Sequence, residues 1–251
     1  ELEQWVQALL KDALMHSGEP AWEHARGVAQ ICQMLGLDEN GRSAALLFNV
    51  WWVLDKEQHE KIQTLEEKVP TTVRELVRQI LQLLNMGGIS KDISSAPLNS
   101  TNKNAAKLAA EQLDILRRML LAMAPDIRVV LIRLASRLQT LRWYAASKTQ
   151  PPEGFAQESL MVYAPLANRL GVWQLKWEME DLAFRFKEPK TYQTLAKALE
   201  EKRIERENFI ARSMHKLADA LAASHIKADV AGRPKHIYSI HQKKKKKDLP
   251  L

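Results

Sequence analysis

The sequence predicts a mostly α-helical protein. Gly and Pro are few, 9 and 10 among 251 residues, and the residues that dominate are good helix formers such as Leu, Ala, Glu, Lys and Gln. Apolar residues make up 46% of the chain and recur three and four positions apart, which places them on one face of a helix. A chain of this length and apolar content can bury a sizeable core.

The first two helices are predicted on either side of a Ser-Gly-Glu-Pro turn at residues 17–20. Apolar residues at helical spacing run from Leu2 to Leu14 before the turn, and a second helix runs from Ala21 to Leu35 after it. Gly36 follows in the position that commonly ends a helix. His24 lies in the first turns of the second helix.

A third helix is predicted to lie at the centre of a helical bundle. Asp38 or Asn40 can cap its N-terminus, and it should run through Leu54. From Ala44 to Val53 the residues are apolar almost all round the helix, which indicates burial on every side. Neighbouring helices should therefore pack against this segment.

Further along, helical segments alternate with polar turns. A Thr-Thr cap predicts a helix from Thr71 to about Leu84, and the Gly-, Ser- and Asn-rich stretch from Asn85 to Asn104 predicts a surface loop. The helical period returns from Ala105 to Met123. A strongly apolar helix then begins at Pro125, includes residues 127–141 and should pack beside the third helix.

The sequence KTQPPEG at Lys148 to Gly154 is the clearest predicted boundary, because it combines two prolines and a glycine with polar residues. Beyond it, three helices are predicted: Phe155 to Leu170, Val172 to Phe186 and Tyr192 to Ala223. Ile226 to Val230 alternates apolar and polar residues and is the one candidate strand. A helix from about Pro234 follows it.

Composition narrows the function classes. The single cysteine, Cys32, cannot form an internal disulfide and fits a reducing cytosol. No apolar run is long enough to span a membrane, and the first twenty residues lack a signal-peptide core, so we expect a cytoplasmic protein. A formal net charge of +7 favours binding of nucleotide phosphates or RNA. The run Lys243 to Lys247 supplies part of this charge and also fits a solvated helix end.

Three stretches carry a specific family resemblance: YAPLANRLG (Tyr163 to Gly171), QLKWEMEDLAF (Gln174 to Phe184) and AGRPKHIYSI (Ala231 to Ile240). Through them the chain resembles, over almost its whole length, the long RelA/SpoT homologues, bacterial enzymes that make and degrade the alarmone (p)ppGpp. The resemblance implies three parts: an HD-type helical hydrolase domain at residues 1–150, a helical connector at 151–222, and the first strand and helix of an α/β synthetase domain at 223–251.

In that family the hydrolase removes the 3'-pyrophosphate with a Mn(II) ion held by a His, a His-Asp pair and a later Asp. The resemblance places His24 at the first position, but Phe48 and Asn49 at the pair and Ser136 at the last. A phenyl ring donates no lone pair to a metal, and an amide and a hydroxyl carry no charge. We therefore expect no metal to bind.

Other positions of the hydrolase site are altered as well. The family's Glu-Asp pair, which organises the attacking water, falls on Trp52 and Val53, and its base-contacting Asn falls on Thr140, with Arg142 retained. Thr140 and Arg142 are the candidate nucleotide-binding residues of this vestigial pocket, for a ligand such as ppGpp. The resemblance predicts an inactive hydrolase domain, rigidified by packed rings, that acts as a regulatory brake on the synthetase.

On the synthetase side, the resemblance implies an ATP-binding edge. Arg233 would contact adenine, and Lys235, Ser239 and Lys243 would reach the triphosphate, tasks that suit planar guanidinium and compact ammonium groups. The implied reaction transfers pyrophosphate from ATP to the 3'-hydroxyl of GTP or GDP, with Mg²⁺ in the full-length protein. The family's Mg²⁺-binding and catalytic carboxylates follow this motif further downstream, so residues 1–251 alone should make no alarmone and need no cofactor.

The first interpretation is therefore the N-terminal regulatory part of a RelA-type GTP pyrophosphokinase of the stringent response, which meets the ribosome through the full-length protein. A second is a working HD phosphohydrolase with ligands from elsewhere, such as His16, His59 or Asp55, which would release pyrophosphate from ppGpp with manganese. A third is a helical RNA-binding module that uses Lys243 to Lys247 and weakens steeply with salt.

Overall fold

The computed structural model describes residues 2–54, 68–94, 126–201, 203–232 and 235–247. This part of the chain is mainly helical, as predicted, and its β-type pairing is limited to an isolated bridge between Leu14 and Pro20. We number the helices in chain order: α1 Leu2–Leu10, α2 Ala21–Met34, α3 Glu39–Val53, α4 Thr71–Ser94, α5 Ile127–Ser147, α6 Phe155–Glu158, α7 Ala164–Arg169, α8 Trp173–Lys187, α9 Pro189–Glu201, α10 Arg203–Ala223 and α11 Ile237–Lys247. None of these described helices is both long and apolar enough to cross a membrane.

The chain divides into two compact units, of which the first ends at Ala183 and the second starts at Phe184. The division falls inside α8, so that one continuous helix belongs to both units. The three parts implied by the family resemblance, with boundaries near residues 150 and 222, stay a prediction.

The central position of α3 in the first unit is confirmed. This helix packs against α1, α2, α4 and α5, and its residues from Ala44 to Val50 are buried. Asp38 caps the helix by accepting a hydrogen bond from the amide of Gly41 at 2.9 Å, which satisfies one of the free N–H groups of the first turn. After Val50 the helix reaches the edge of the core, and its last three residues are half-buried.

The C-terminal ends of α1 and α4 differ from the predictions. The first helix ends at Leu10 rather than Leu14, because the chain reverses in a turn where the Met15 amide donates to the Glu19 carbonyl at 2.8 Å. In the other direction, α4 continues to Ser94, so the predicted loop from Asn85 is wrong as far as residue 94. Adding residues to an existing helix costs little compared with starting one. The rest of that loop and the predicted helix from Ala105 to Met123 lie outside the described residues.

A buried arginine ties α5 to the segment that follows the predicted boundary at Lys148 to Gly154. That segment consists of α6, a π-helical turn at Ser159–Tyr163, and α7. Arg137 donates from Nε to Ser159 Oγ and from Nη2 to the Phe155 carbonyl, both at 2.8 Å, and its guanidinium lies 3.6 Å from the centre of the Phe155 ring. The first unit therefore continues through this turn.

The second unit has an aromatic cluster where α9 packs against α11. The ring of Phe184 lies 4.5 Å from that of His241, 5.5 Å from that of Tyr238 and 6.0 Å from that of Tyr192, measured between centroids. Aromatic pairs at these separations stabilise the surfaces that carry them. Contacts with Phe184 from two side chains of α11 fix which face of that helix turns inward.

The segment between α10 and α11 is not a strand. Residues 226–230 are irregular and mostly exposed, although the helix predicted after them forms, starting at Ile237 rather than about Pro234. A strand needs a partner for its backbone N–H and C=O groups, and the described residues offer none here. The segment instead packs on α10 through Gly232, where an added Cβ would lie 2.7 Å from Met214 Sδ and 2.9 Å from Ile210 Cγ2.

Cys32 should be chemically inert in the folded protein. Its side chain is fully buried in α2, and burial raises the pKa of the thiol from 9.0 to about 12. Because the thiolate is the reactive form, we expect no reaction with an aromatic disulfide reagent at pH 8 until denaturant is added, and then one thiol per chain. Rapid stoichiometric reaction in native buffer would contradict the packing of α2.

Candidate functional site

A buried chain of hydrogen bonds joins α2 to α5 through His24. The Nδ1 atom of His24 lies 2.7 Å from Glu19 Oε2, and its Nε2 atom lies 3.0 Å from Ser136 Oγ. The exposed fractions of Glu19, His24 and Ser136 are 0%, 1% and 5%. Both ring nitrogens of the imidazole are therefore engaged by side chains of the protein itself.

The hydrogen-bond roles along this chain follow from the carboxylate. Glu19 Oε1 also accepts a hydrogen bond from Gln139 Nε2 at 2.8 Å, and an ionised carboxylate accepts only. Nδ1 of His24 therefore carries a proton and donates it to Glu19. In the neutral imidazole this leaves the lone pair of Nε2 to accept the hydroxyl proton of Ser136.

A close approach of two helices places Gln139 against Glu19. The side chain of Gln139, on α5, crosses over Gly27 of α2, where an added Cβ would lie 2.3 Å from Gln139 Oε1. Only a residue without a Cβ leaves this space free. Gly27 therefore permits the hydrogen bond that orients Glu19.

Phe48 and Asn49, which the resemblance places at the family's His-Asp pair, are buried core residues of α3. Phe48 is 1% exposed and Asn49 is 0% exposed. Asn49 Nδ2 donates to the carbonyl of Ala45 in its own helix at 3.4 Å, while Asn49 Oδ1 has no hydrogen-bond partner among the described residues. The side chain amide is thus turned to local backbone and carries no charge.

Trp52 and Val53, which the resemblance places at the water-organising Glu-Asp pair, are half-buried near the end of α3. The ring of Trp52 packs against the imidazole of His16, with 5.7 Å between the centroids. His16 is itself exposed. Two of the residues considered as alternative metal ligands, His59 and Asp55, lie outside the described residues.

Thr140 and Arg142, the candidate nucleotide-binding pair, make separate contacts. Thr140 donates its hydroxyl proton to the Ser136 carbonyl at 3.1 Å, within α5. Arg142 forms a two-point ion pair with Glu178 of α8, with distances of 2.5 and 2.7 Å. Thr140 and Arg142 are two residues apart on one helix, so their side chains point to nearly opposite sides of it, about 200° apart around the axis. The structure therefore brings His24 and Ser136 together but does not bring Thr140 and Arg142 together.

The donor set fits Mn(II) poorly. The described residues contain no group of three or more His, Cys, Asp or Glu side chains that could hold a metal ion. At the ligand positions that the resemblance assigns, the remaining donor nitrogen is Nε2 of His24, and it already bonds to the Ser136 hydroxyl. A divalent ion of this class needs several nitrogen and oxygen ligands, with carboxylates to offset its charge.

The predicted ATP-binding residues lie on or beside α11. Lys235 precedes the helix and is exposed, Ser239 is half-buried in its first turn, and Lys243 is exposed one turn later. Arg233 lies outside the described residues. Ser239 and Lys243 are four residues apart and therefore share one face of α11.

Three residues that the sequence did not single out complete these contacts: Glu19, Gln139 and Glu178. Side chains on a helix lean toward its N-terminus, so an acid in the turn before α2 is within reach of His24. Gln139 lies three residues after Ser136, on the same face of α5. Glu178 carries no local signal, because its partner Arg142 is remote in sequence.

Replacing Ser136 should destabilise the protein without changing its fold. In Ser136→Ala, the buried Nε2 of His24 loses its partner, which costs about 1–3 kcal/mol of unfolding free energy. Urea denaturation measures the loss, and Ser147→Ala, an exposed serine on the same helix, is the matched control and should change stability by less than about 0.5 kcal/mol. Equal effects of the two substitutions would mean that the hydrogen bond contributes nothing.

Comparison with known proteins agrees with the helical core. A family model described as HD domain matches residues 4–173. The chain is 40% identical over 270 residues to a GTP pyrophosphokinase of Photobacterium angustum, an alignment that covers 99% of this chain and 34% of that protein. For the GTP pyrophosphokinases of Escherichia coli K12 and Haemophilus influenzae the identities are 38% and 34%, with coverage of 89% and 99% of this chain and 28% and 34% of theirs. The chain thus spans about a third of the length of these curated relatives, and it belongs to the HD domain family.

Proposed function

We propose that this chain is the N-terminal regulatory part of a RelA-type GTP pyrophosphokinase, in which the HD hydrolase domain is catalytically inactive. Its likeness to proteins named GTP pyrophosphokinase, at 34–40% identity, supports the parent activity. The full-length protein would transfer pyrophosphate from ATP to GTP or GDP with Mg²⁺, in the cytoplasm, to make (p)ppGpp in the stringent response. Contact with the ribosome belongs to the full-length protein.

The main observation that supports an inactive hydrolase is the hydrogen bond between the Ser136 hydroxyl and Nε2 of His24. In metal sites, a ligating imidazole commonly donates its other N–H to a carboxylate, and Glu19 provides that group here at 2.7 Å. His24 is therefore oriented as a metal ligand would be. The position facing its lone pair holds a neutral hydroxyl, however, and the two remaining ligand positions hold the ring of Phe48 and the amide of Asn49.

The same residues support a structural and regulatory role for the domain. The hydrogen-bonded chain keeps α2 and α5 together without a metal, and Phe48 fills core volume. Arg142 and Glu178 link α5 to α8, the helix that continues past Ala183 to Lys187. A domain that keeps its packing without its ligand set is suited to act through its surfaces, as a brake on synthesis.

Hydrolysis should be absent and metal binding negligible in the natural sequence. We expect no saturable Mn(II) binding by calorimetry and no manganese-dependent release of pyrophosphate from ppGpp. The matched variant Phe48→His with Asn49→Asp and Ser136→Asp restores three donors around His24. If it folds, Mn(II) should raise its melting temperature, because a ligand that binds only the folded state stabilises it.

The wild-type protein, heated with and without Mn(II), is the control for that shift. A stoichiometric Mn(II) ion in the wild-type protein, together with cleavage of ppGpp, would overturn the proposal and favour a working hydrolase with ligands such as His16, His59 or Asp55. If the variant fails to fold, the wild-type calorimetry and hydrolysis assay still decide the question.

Synthesis is tested on the full-length gene product. With ATP, GTP and Mg²⁺ it should form AMP and (p)ppGpp in equal amounts, which chromatography of the nucleotides measures. Removing the hydrolase-like domain should raise the basal rate if the domain is a brake. Absence of product with the ribosome supplied would contradict the parent activity, and an unchanged or lower rate after removal would contradict the brake.

A further inference from the structure

The lysine-rich end of α11 has a defined rotational setting. Tyr238 and His241 of this helix pack against Phe184, with ring centroids 5.5 and 4.5 Å away. The two side chains are three residues apart and lie on one face of the helix. That face is held toward Phe184, so the directions of the remaining side chains on α11 follow from the helical period.

Three donors fall on a different face of α11. At about 100° per residue, Ser239, Lys243 and Lys246 lie within about 60° of one another around the helix. They are spaced four and three residues apart, so they form a row about 10 Å long. Lys243 and Lys246 are exposed, and Ser239 is half-buried. The row is turned away from the face that carries His241.

Lys245 lies instead on the docked face, which is the face of α11 that packs against Phe184 through Tyr238 and His241. It follows His241 by four residues, one turn along the same side of the helix. Burial lowers the pKa of His241, and the charges of Lys245 and Lys244 lower it further, while the carboxylate of Glu188 raises it. The charge of Lys245 therefore acts on the docked imidazole.

We propose that Lys246 is a further phosphate-contacting residue, which extends the row of Ser239 and Lys243 along the triphosphate of ATP. This inference rests on the proposed function, which places ATP at this edge. An ammonium group is a compact charge on a flexible stem, suited to follow a phosphate chain.

The position of the row allows a specific phosphate contact to be distinguished from unspecific attraction by the surface charge. Consecutive residues of a helix point in directions about 100° apart, so the four lysines from 243 to 246 already cover every side of α11. If the run served only to attract polyanions, each exposed lysine would count about equally, since unspecific attraction depends on net charge. If one triphosphate binds along the row, Lys246 instead contributes more to its binding than Lys245 does.

The test compares Lys246→Ala with Lys245→Ala, a matched pair of exposed lysines one residue apart. Alanine preserves the helix, which circular dichroism checks. Binding of Mg²⁺-ATP and of inorganic tripolyphosphate to the full-length gene product is measured by calorimetry. We expect Lys246→Ala to weaken both ligands about tenfold, the loss of one charge-assisted hydrogen bond, and Lys245→Ala to weaken them less than threefold.

Equal weakening by the two substitutions would overturn the inference and indicate a general cationic surface, as an RNA-binding module would have. An effect of Lys246→Ala on ATP but not on tripolyphosphate would overturn the assignment to the phosphate chain. If the wild-type protein binds neither ligand, the ATP site of the proposed function fails, and the inference fails with it. If the wild-type protein binds ATP but Lys246→Ala weakens binding no more than Lys245→Ala does, the proposed function stands and only the inference fails.

Discussion

The first unit depends on one imidazole that is bonded at both nitrogens inside its core. His24 connects the turn before α2 to the middle of α5 through Glu19 and Ser136. Each of these polar groups is removed from water, so each would cost free energy without its partner. Gln139 completes the set by donating to Glu19. The arrangement is stable because every member satisfies another, which is the condition under which a buried polar network strengthens a core.

The buried environment of this network gives the neutral residues at the proposed metal positions a common physical reason. A buried carboxylate at position 49 or 136 would need a cation or hydrogen-bond donors of its own, as Glu19 has in His24 and Gln139. A neutral polar group costs far less free energy to bury. Asn49 and Ser136 are neutral, and the Ser136 hydroxyl is hydrogen-bonded to Nε2 of His24. Phe48, at the position that the resemblance assigns to a second imidazole, adds a buried ring. In the proposed function, the absence of the metal and the absence of charge at these positions therefore go together.

Local patterns in the sequence predict much of the fold. Apolar periodicity predicts α2, α3 and α5, and Asp38 caps α3 as expected. Both features depend only on residues that are close together in the sequence. The strand at residues 226–230 fails for the opposite reason, since pairing depends on a partner elsewhere. Glu19 is predictable in part from its place before His24. The pairing of Arg142 with Glu178 is not, because it depends on how α5 and α8 pack.

The second unit shows how packing assigns different roles to identical residues. In the sequence, Lys243 to Lys247 form one run, and no member differs from its neighbours. Once Tyr238 and His241 contact Phe184, the helix can no longer rotate freely about its axis, and the lysines from 243 to 246 have fixed directions. Lys245 then lies beside the docked imidazole, and Lys246 lies in line with Ser239 and Lys243. The aromatic cluster, which itself contacts no phosphate in this scheme, therefore determines which ammonium groups can meet one.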